Sequence, residues 1–328
     1  MRTRFATITL LVLCCCTSAP SYAQISSPEE VMGFKVGEDR KLFGWETIVD
    51  YFRMLHEKSD RVTVKELGQT TLGRPFIMAI ISSRDNLLNL AKYKNLQKQA
   101  ANPRHLSDED ARLLARQNKL VVMITLNVHA TEIASSQESV ELAFRLATGR
   151  SPEVQRILDN VIILLIPSMN PDGLQKVVDW YEQYLETPHE GSVPPYLSHT
   201  YAGADNDRDA FMMNLVETKL LAKQTYEEWF PEIVYEQQET QPGGPRLVLP
   251  PYLDPHNSNL HPLVLAQLNK IGKHVASDLQ AQGMKGIATD AVVTKWSLGR
   301  SGFTPWWHNM LGVVSAVAGA QLATPLYF

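Results

Sequence analysis

The chain has 328 residues, of which 44% are hydrophobic and 20% are charged, and its formal net charge is −4. A chain of this length and composition can bury a substantial core, and its weak negative charge offers nothing that would attract nucleic acid. All three cysteines lie within residues 14–16, so we expect neither a disulfide framework nor thiol catalysis in the rest of the chain.

The first 23 residues have the three parts of an export signal. Arg2 and Arg4 form a charged start, residues 8–16 form an apolar core, and Ser21-Tyr22-Ala23 is a small-residue cleavage site. The apolar core is too short to cross a bilayer as a permanent helix. We therefore predict a signal peptide over residues 1–23 and a mature chain, residues 24–328, that is secreted, most simply to a periplasm, and not retained in the membrane.

Apolar periodicity predicts strands and helices that alternate along the mature chain. The predicted strands are residues 61–67, 76–82, 120–126 and 161–166. The predicted helices are residues 45–56, 86–100, 107–117, 133–146, 211–229 and 261–282. The third of these helices begins Ser-Asp-Glu-Asp, which is typical of a capped helix start.

His129 and Glu132 lie between the strand at residues 120–126 and the helix at residues 133–146. Open α/β sheets bind ligands at the carboxyl ends of their strands, and an imidazole with a carboxylate suits zinc. A surface histidine followed by an acidic residue in the first turn of a helix would give the same pattern. The pair alone does not decide between these two interpretations.

Further along the chain, three motifs occur in a fixed order. After His129-x-x-Glu132 come Asn-Pro-Asp-Gly at residues 170–173, which is typical of a turn, and Gly-Ala-Asp-Asn-Asp-Arg-Asp at residues 203–209. Together with residues 245–257 and 303–312, this order resembles a bacterial exported branch of the zinc carboxypeptidase family. The resemblance covers about residues 28–328. It implies an α/β fold with a mixed, twisted, eight-stranded sheet and helices on both faces, a zinc cofactor, and a peptide or protein substrate.

The resemblance also implies three zinc ligands, and the first two fall on His129 and Glu132. The third is a histidine at the end of a later strand, and Gln238 stands at its position. Glutamine is a poor zinc ligand compared with imidazole, so we predict weak or absent zinc, with occupancy raised by Gln238→His. Glu236 or Glu239 could complete the site instead, although strand alternation directs Glu239 to the face opposite Gln238.

The family's general base, a glutamate on a late strand, falls on Ala316, which cannot accept a proton. No Asp or Glu occurs anywhere in residues 291–328, so a shifted alignment supplies no substitute. General acid–base catalysis contributes roughly 10²–10⁴-fold in rate, so the reaction should be strongly impaired.

The family binds the terminal carboxylate of a peptide through an Asn-Arg pair, which falls on Asp207 and Arg208. Arg208 could hold a carboxylate with two hydrogen bonds, or it could form a surface ion pair with Asp205 or Asp209. Both interpretations stay open. The family also places an oxyanion-binding arginine ahead of this pair, but in residues 174–207 Lys176 is the one basic side chain besides histidines.

Two functions therefore compete for this chain. One is a metallocarboxypeptidase that is catalytically impaired, and the other is a non-catalytic pseudoenzyme that binds peptide ends or a protein partner. In either case His129, Glu132, Gln238 and Ala316 should meet in one cleft. We also expect the chain to be incomplete at its C-terminus, because it ends soon after a strand that the resemblance makes central.

Overall fold

The structure is a computed structural model that describes residues 25–195, 199–200, 206–240, 243–253, 257–291, 299–319 and 321–325. The predicted export signal and Asp205 lie outside these residues. The α-helices in the described chain are α1 (Pro28–Met32), α2 (Trp45–Lys58), α3 (Arg84–Leu88), α4 (Leu90–Ala101), α5 (Asp108–Gln117), α6 (Ile133–Thr148), α7 (Pro152–Asn160), α8 (Pro171–Tyr184), α9 (Val216–Lys223) and α10 (Pro262–Ala281). A π-helical turn, Gln224–Trp229, continues α9.

Eight strands form one mixed sheet, as predicted. They are β1 (Val62–Gln69), β2 (Pro75–Ile81), β3 (Leu120–Thr125), β4 (Val161–Ile166), β5 (Ile233–Thr240), β6 (Leu247–Val248), β7 (Ile287–Ala288) and β8 (Leu311–Ala318). Their order across the sheet is β1-β2-β4-β3-β5-β8-β6-β7. The four central strands β4, β3, β5 and β8 are parallel, whereas β2 and β6 run antiparallel to the central strands that they pair with.

The continuous apolar sequence of β4 is explained by burial on both faces of the sheet. Ile163 and Leu165 pack into a core with α2, α6 and α8, while Ile162 and Leu164 pack into a second core with Trp229 and Tyr93 of α4. Burying such a side chain completely contributes roughly 1.5–3 kcal/mol. Helices on both faces therefore hold the central strands, which confirms the predicted fold class.

Two predicted helices differ from the structure. The helix predicted at residues 86–100 is interrupted at Asn89, between α3 and α4. The helix predicted at residues 211–229 begins only at Val216, because the Asp209 carboxylate accepts hydrogen bonds from the backbone N–H groups of Asn214 (3.0 Å) and Leu215 (2.9 Å). A side chain that binds backbone groups in this way favours a turn over a helix.

The parallel strands end at one edge of the sheet, and β5 extends beyond its neighbour there. Thr125, the last residue of β3, pairs with Glu236, so β5 continues for the residues from Gln237 to Thr240. On its other side, this extension pairs with the end of β8. The extension brings Gln238 to the carboxyl edge of the sheet, which is where α/β folds place their ligand sites. Within the described chain, no helix is long and apolar enough to cross a membrane.

Candidate active site

Asn127 shapes the loop that carries His129 and Glu132. Its backbone is left-handed, with φ of 51°, a conformation that asparagine tolerates better than most residues. The fully buried side chain donates to the carbonyl oxygens of His129 (3.0 Å) and Glu132 (3.1 Å), and it accepts from Ser168 Oγ (2.7 Å). Asn127 thereby ties the loop after β3 to the loop after β4.

The Asn-Pro-Asp-Gly motif packs against the same loop. It is the start of α8, where Asn170 Oδ1 accepts from the Gly173 N–H at 3.0 Å. A Cβ atom on Gly173 would lie 2.6 Å from Cβ of Ala130, so only glycine lets α8 approach the loop this closely. Asp172 accepts from Thr70 Oγ1 (2.8 Å) and fastens the connection between β1 and β2.

His129 and Glu132 lie in contact at the carboxyl edge of the sheet. Nδ1 of His129 is 3.0 Å from Oε1 of Glu132, and Oε2 of Glu132 accepts from the His129 backbone N–H at 3.1 Å. Oε1 also accepts from the backbone N–H of Glu239 at 3.2 Å. The Glu132 carboxylate therefore reaches the extension of β5 one residue beyond Gln238.

Gln238 and Ala316 are direct neighbours across the β5–β8 pair. Adjacent residues in a ladder place their side chains on the same face of the sheet. The Gln238 side chain donates from Nε2 to Glu236 Oε1 at 2.7 Å, and its Oε1 accepts from Nη2 of Arg300 at 3.2 Å. The positions that the resemblance assigns to the third ligand and the general base thus adjoin, and their roles stay predictions.

Five side chains form a closed ring of hydrogen bonds, which we call the cleft network: Asp207, Arg300, Gln238, Glu236 and Ser301. Besides the two bonds of Gln238, Nε of Arg300 donates to Asp207 Oδ2 at 2.6 Å. Ser301 donates to Asp207 Oδ1 from its backbone N–H (3.0 Å) and lies within hydrogen-bond distance of it through Oγ (2.8 Å). Oγ of Ser301 also makes a short contact with Glu236 Oε2, which closes the ring.

The cleft network requires a proton on one of its carboxyl groups. Ser301 Oγ has one hydrogen but contacts a carboxyl oxygen of both Glu236 and Asp207, so the second contact needs a carboxyl group that donates. Complete burial and the nearby charge of Asp207 raise the pKa of Glu236 to about 8, so Glu236 is the protonated partner.

Glu239 lies on the opposite face of β5, towards α6. Its Oε1 accepts from the backbone N–H of Ala134, in the first turn of α6, at 3.0 Å. Burial and the neighbouring charge of Glu132 raise the pKa of Glu239 to about 7. Glu239 therefore lies close to Glu132, but its carboxylate is directed to the start of α6.

Asp207 and Arg208 differ sharply in their surroundings. Asp207 is buried and is held by Arg300 and Ser301, whereas Arg208 is exposed. The two adjacent residues therefore do not present one joint surface to a ligand. Arg208 is the member of the pair that solvent reaches, and its role in binding a carboxylate stays a prediction.

Arg300 and Ser301 were not identified from the sequence. They lie in the segment Gly299-Arg300-Ser301-Gly302, which has no charge pattern or spacing that connects it to residues 207 or 238. The signal that could have found them is the glycine on either side. A Cβ atom on Gly302 would lie 2.3 Å from Val314 Cγ2, so the segment must pass directly against β8.

The residues of the cleft do not fit a three-ligand zinc site. His129 and Glu132 have suitable chemistry, but the oxygen of Gln238 at the third position is bound to a guanidinium. In the part of the chain that the structure describes, no three His, Cys, Asp or Glu side chains form a group that could hold a metal ion.

Comparison with known proteins agrees with this geometry. A sequence model described as zinc carboxypeptidase matches residues 48–239, which is more than half of the chain. The chain belongs to the zinc carboxypeptidase family. Members of this family depend on zinc and act on peptides, and the match includes His129, Glu132, Asp207 and Gln238. Among curated proteins, none matches the chain by sequence.

Solved structures show the same fold. Carboxypeptidase A from Helicoverpa armigera is 14% identical, with a TM-score of 0.55 over 85% of this chain and 64% of its own. A metallo-carboxypeptidase from Burkholderia cenocepacia is 14% identical, with a TM-score of 0.53 over 83% of this chain and 60% of its own. One from Pseudomonas aeruginosa, in complex with (2-guanidinoethylmercapto)succinic acid, is 13% identical, with a TM-score of 0.54 over 84% of this chain and 60% of its own. This zinc carboxypeptidase family member thus spans less than two thirds of the length of these three.

Proposed function

We propose that this zinc carboxypeptidase family member is exported and is impaired in zinc-dependent peptide hydrolysis. The observation that carries the proposal is the hydrogen bond from Arg300 to the side-chain oxygen of Gln238. This amide oxygen is a poorer zinc donor than imidazole, and the cation that it accepts from disfavours a metal ion beside it. With His129 and Glu132 as the remaining ligands, zinc binds weakly or not at all.

The second ground for the proposal is Ala316, next to Gln238 on β8. A catalytic zinc site needs a base that takes a proton from the metal-bound water, and a methyl group cannot do so. Loss of general acid–base help costs roughly 10²–10⁴-fold in rate. Weak metal binding and a missing base therefore act together against hydrolysis.

A second candidate function is binding of peptide ends without cleavage. It is favoured by Arg208, which is exposed and stands at the position that the resemblance assigns to carboxylate binding. Guanidinium groups bind carboxylates with two parallel hydrogen bonds and need no metal for it. The ligand in this case is the terminal carboxylate of a peptide or a protein partner, met outside the cytoplasm after removal of residues 1–23.

The experiment is a zinc and hydrolysis assay on the purified mature chain. We expect substoichiometric zinc after dialysis against a weak chelator and no zinc-dependent turnover of a panel of short peptides. Stoichiometric zinc, with turnover that His129→Ala abolishes, would overturn the proposal. Binding of uncleaved peptides that is lost when their C-terminus is amidated would support the second candidate.

A further inference from the structure

Arg300 bridges two positions of the cleft that the family resemblance assigns to different tasks. Its Nε donates to Asp207 at 2.6 Å, and its Nη2 donates to Gln238 at 3.2 Å. Asp207 stands at a substrate-binding position and Gln238 at the third-ligand position. One guanidinium therefore binds both side chains at once. Its several N–H donors have a rigid planar arrangement, which a lysine ammonium lacks.

The side chains around Arg300 favour a cation at this place. Its Nε forms an ion pair with the buried carboxylate of Asp207, and Glu236 joins the same network through Gln238 and Ser301. A buried carboxylate is costly unless it is paired, so a positive charge here stabilises the cleft network.

The backbone fixes the position of the guanidinium. The Ser301 N–H donates to Asp207 at 3.0 Å, and the carbonyl oxygen of Gly299 accepts from the Ala210 N–H at 3.0 Å. The guanidinium carbon also lies 5.8 Å from the centre of the Phe303 ring, within the range of a cation–π contact. Arg300 is therefore held on both sides and is not a freely moving surface side chain.

We propose that Arg300 is a built-in cation that takes over the charge-balancing role of zinc and excludes a divalent metal from the cleft. The inference rests on the proposed function. Its guanidinium engages one of the two lone pairs on the side-chain oxygen of Gln238, and its positive charge repels a second cation nearby. A histidine at position 238 would accept the same hydrogen bond, so Gln238→His alone should restore little metal binding.

The test is a double-mutant cycle on zinc affinity, measured by calorimetry on the full mature chain. The variants are the unmodified protein, Gln238→His, Arg300→Gln and the double variant, with Arg208→Gln as the matched control for losing one arginine. We expect the double variant to bind zinc at least about tenfold more tightly than the two single changes predict together, the size typical of directly coupled residues. Arg208→Gln combined with Gln238→His should bind zinc no better than Gln238→His.

A thermal unfolding series gives a second readout. Zinc should raise the Tm of the double variant and leave that of Gln238→His unchanged. If Arg300→Gln does not fold, Asp207→Asn with Arg300→Met removes both charges of the ion pair, and this background should show the same gain from Gln238→His. Stoichiometric, tight zinc in Gln238→His with Arg300 intact would overturn the inference. Zinc-dependent hydrolysis by the unmodified protein would instead overturn the proposed function.

Discussion

The two sides of the cleft have equally regular backbones, but only one of them carries side chains that suit a zinc site. At the ends of β3 and β4, Asn127 and the start of α8 hold a loop on which His129 and Glu132 have the chemistry of zinc ligands. At the ends of β5 and β8, the backbone pairing is equally regular, but the side chains there are Gln238 and Ala316. Because the ladder depends on backbone hydrogen bonds, the chemistry of a site can change on this side without altering the sheet.

Asn127→Ala should have the largest effect, because Asn127 holds the loop that carries His129 and Glu132. The change removes three hydrogen bonds, those that Asn127 donates to the carbonyl oxygens of His129 and Glu132 and the one that it accepts from Ser168, and we expect a loss of about 3 kcal/mol in the free energy of unfolding. Urea denaturation measures it. Asn160→Ala, at an exposed position at the end of α7, is the control and should stay within about 0.5 kcal/mol. Equal effects of the two changes would contradict a structural role for Asn127.

Asp207→Ala tests the cleft network, on the side of the cleft formed by the ends of β5 and β8. It removes the carboxylate partner of Arg300 and leaves the Ser301 N–H unpaired, so we expect a loss of about 2 kcal/mol in the free energy of unfolding. The exposed neighbour Arg208 provides the control, since Arg208→Ala should change stability by no more than about 0.5 kcal/mol. An Asp207→Ala variant as stable as the unmodified chain would mean that the cleft network contributes nothing to folding.

Glu228 lies away from the cleft, and its ion pairs give a prediction about how stability depends on pH. Burial alone would raise the pKa of Glu228, but Lys94 (2.6 Å) and Lys65 (3.3 Å) outweigh it and lower the pKa to about 2. Because the folded-state pKa lies below the ordinary value of 4.5, the stabilisation is present above pH 4.5 and is lost as the pH falls towards 2.

Glu228→Gln should therefore reduce stability by up to about 1 kcal/mol at pH 7 and by nothing near pH 2. Urea titrations at a series of pH values measure the difference, with the exposed neighbour Glu227→Gln as control. A difference that persists unchanged at the lowest pH would contradict the ion pairs. Such a result would not bear on the cleft, since Glu228 contacts α4 and β1 and no residue of the cleft network.

The sequence predicts the scaffold better than it predicts the cleft. Strand β4 could be found because burial on both faces demands a continuous apolar run. The start of α9 was misplaced because the Asp209 carboxylate satisfies backbone groups that apolar periodicity does not register. Arg300 could not be found at all, since its partners lie 93 and 62 residues away along the chain.

The central claim is that this family member keeps the carboxypeptidase scaffold and is impaired by individual side chains of the β5–β8 side. Its most direct test is zinc-dependent hydrolysis of short peptides by the unmodified chain, Gln238→His, Ala316→Glu, the double variant, and the double variant with Arg300→Gln. We expect no turnover from the unmodified chain or either single change, because a base without a metal-bound water has nothing to activate and zinc without the base lacks a proton acceptor. Turnover should stay slight in the double variant, because Arg300 still opposes zinc binding, and should appear clearly when Arg300 is also replaced. Zinc-dependent turnover by the unmodified chain, abolished by His129→Ala, would contradict the claim, as would a folded, zinc-loaded triple variant without activity.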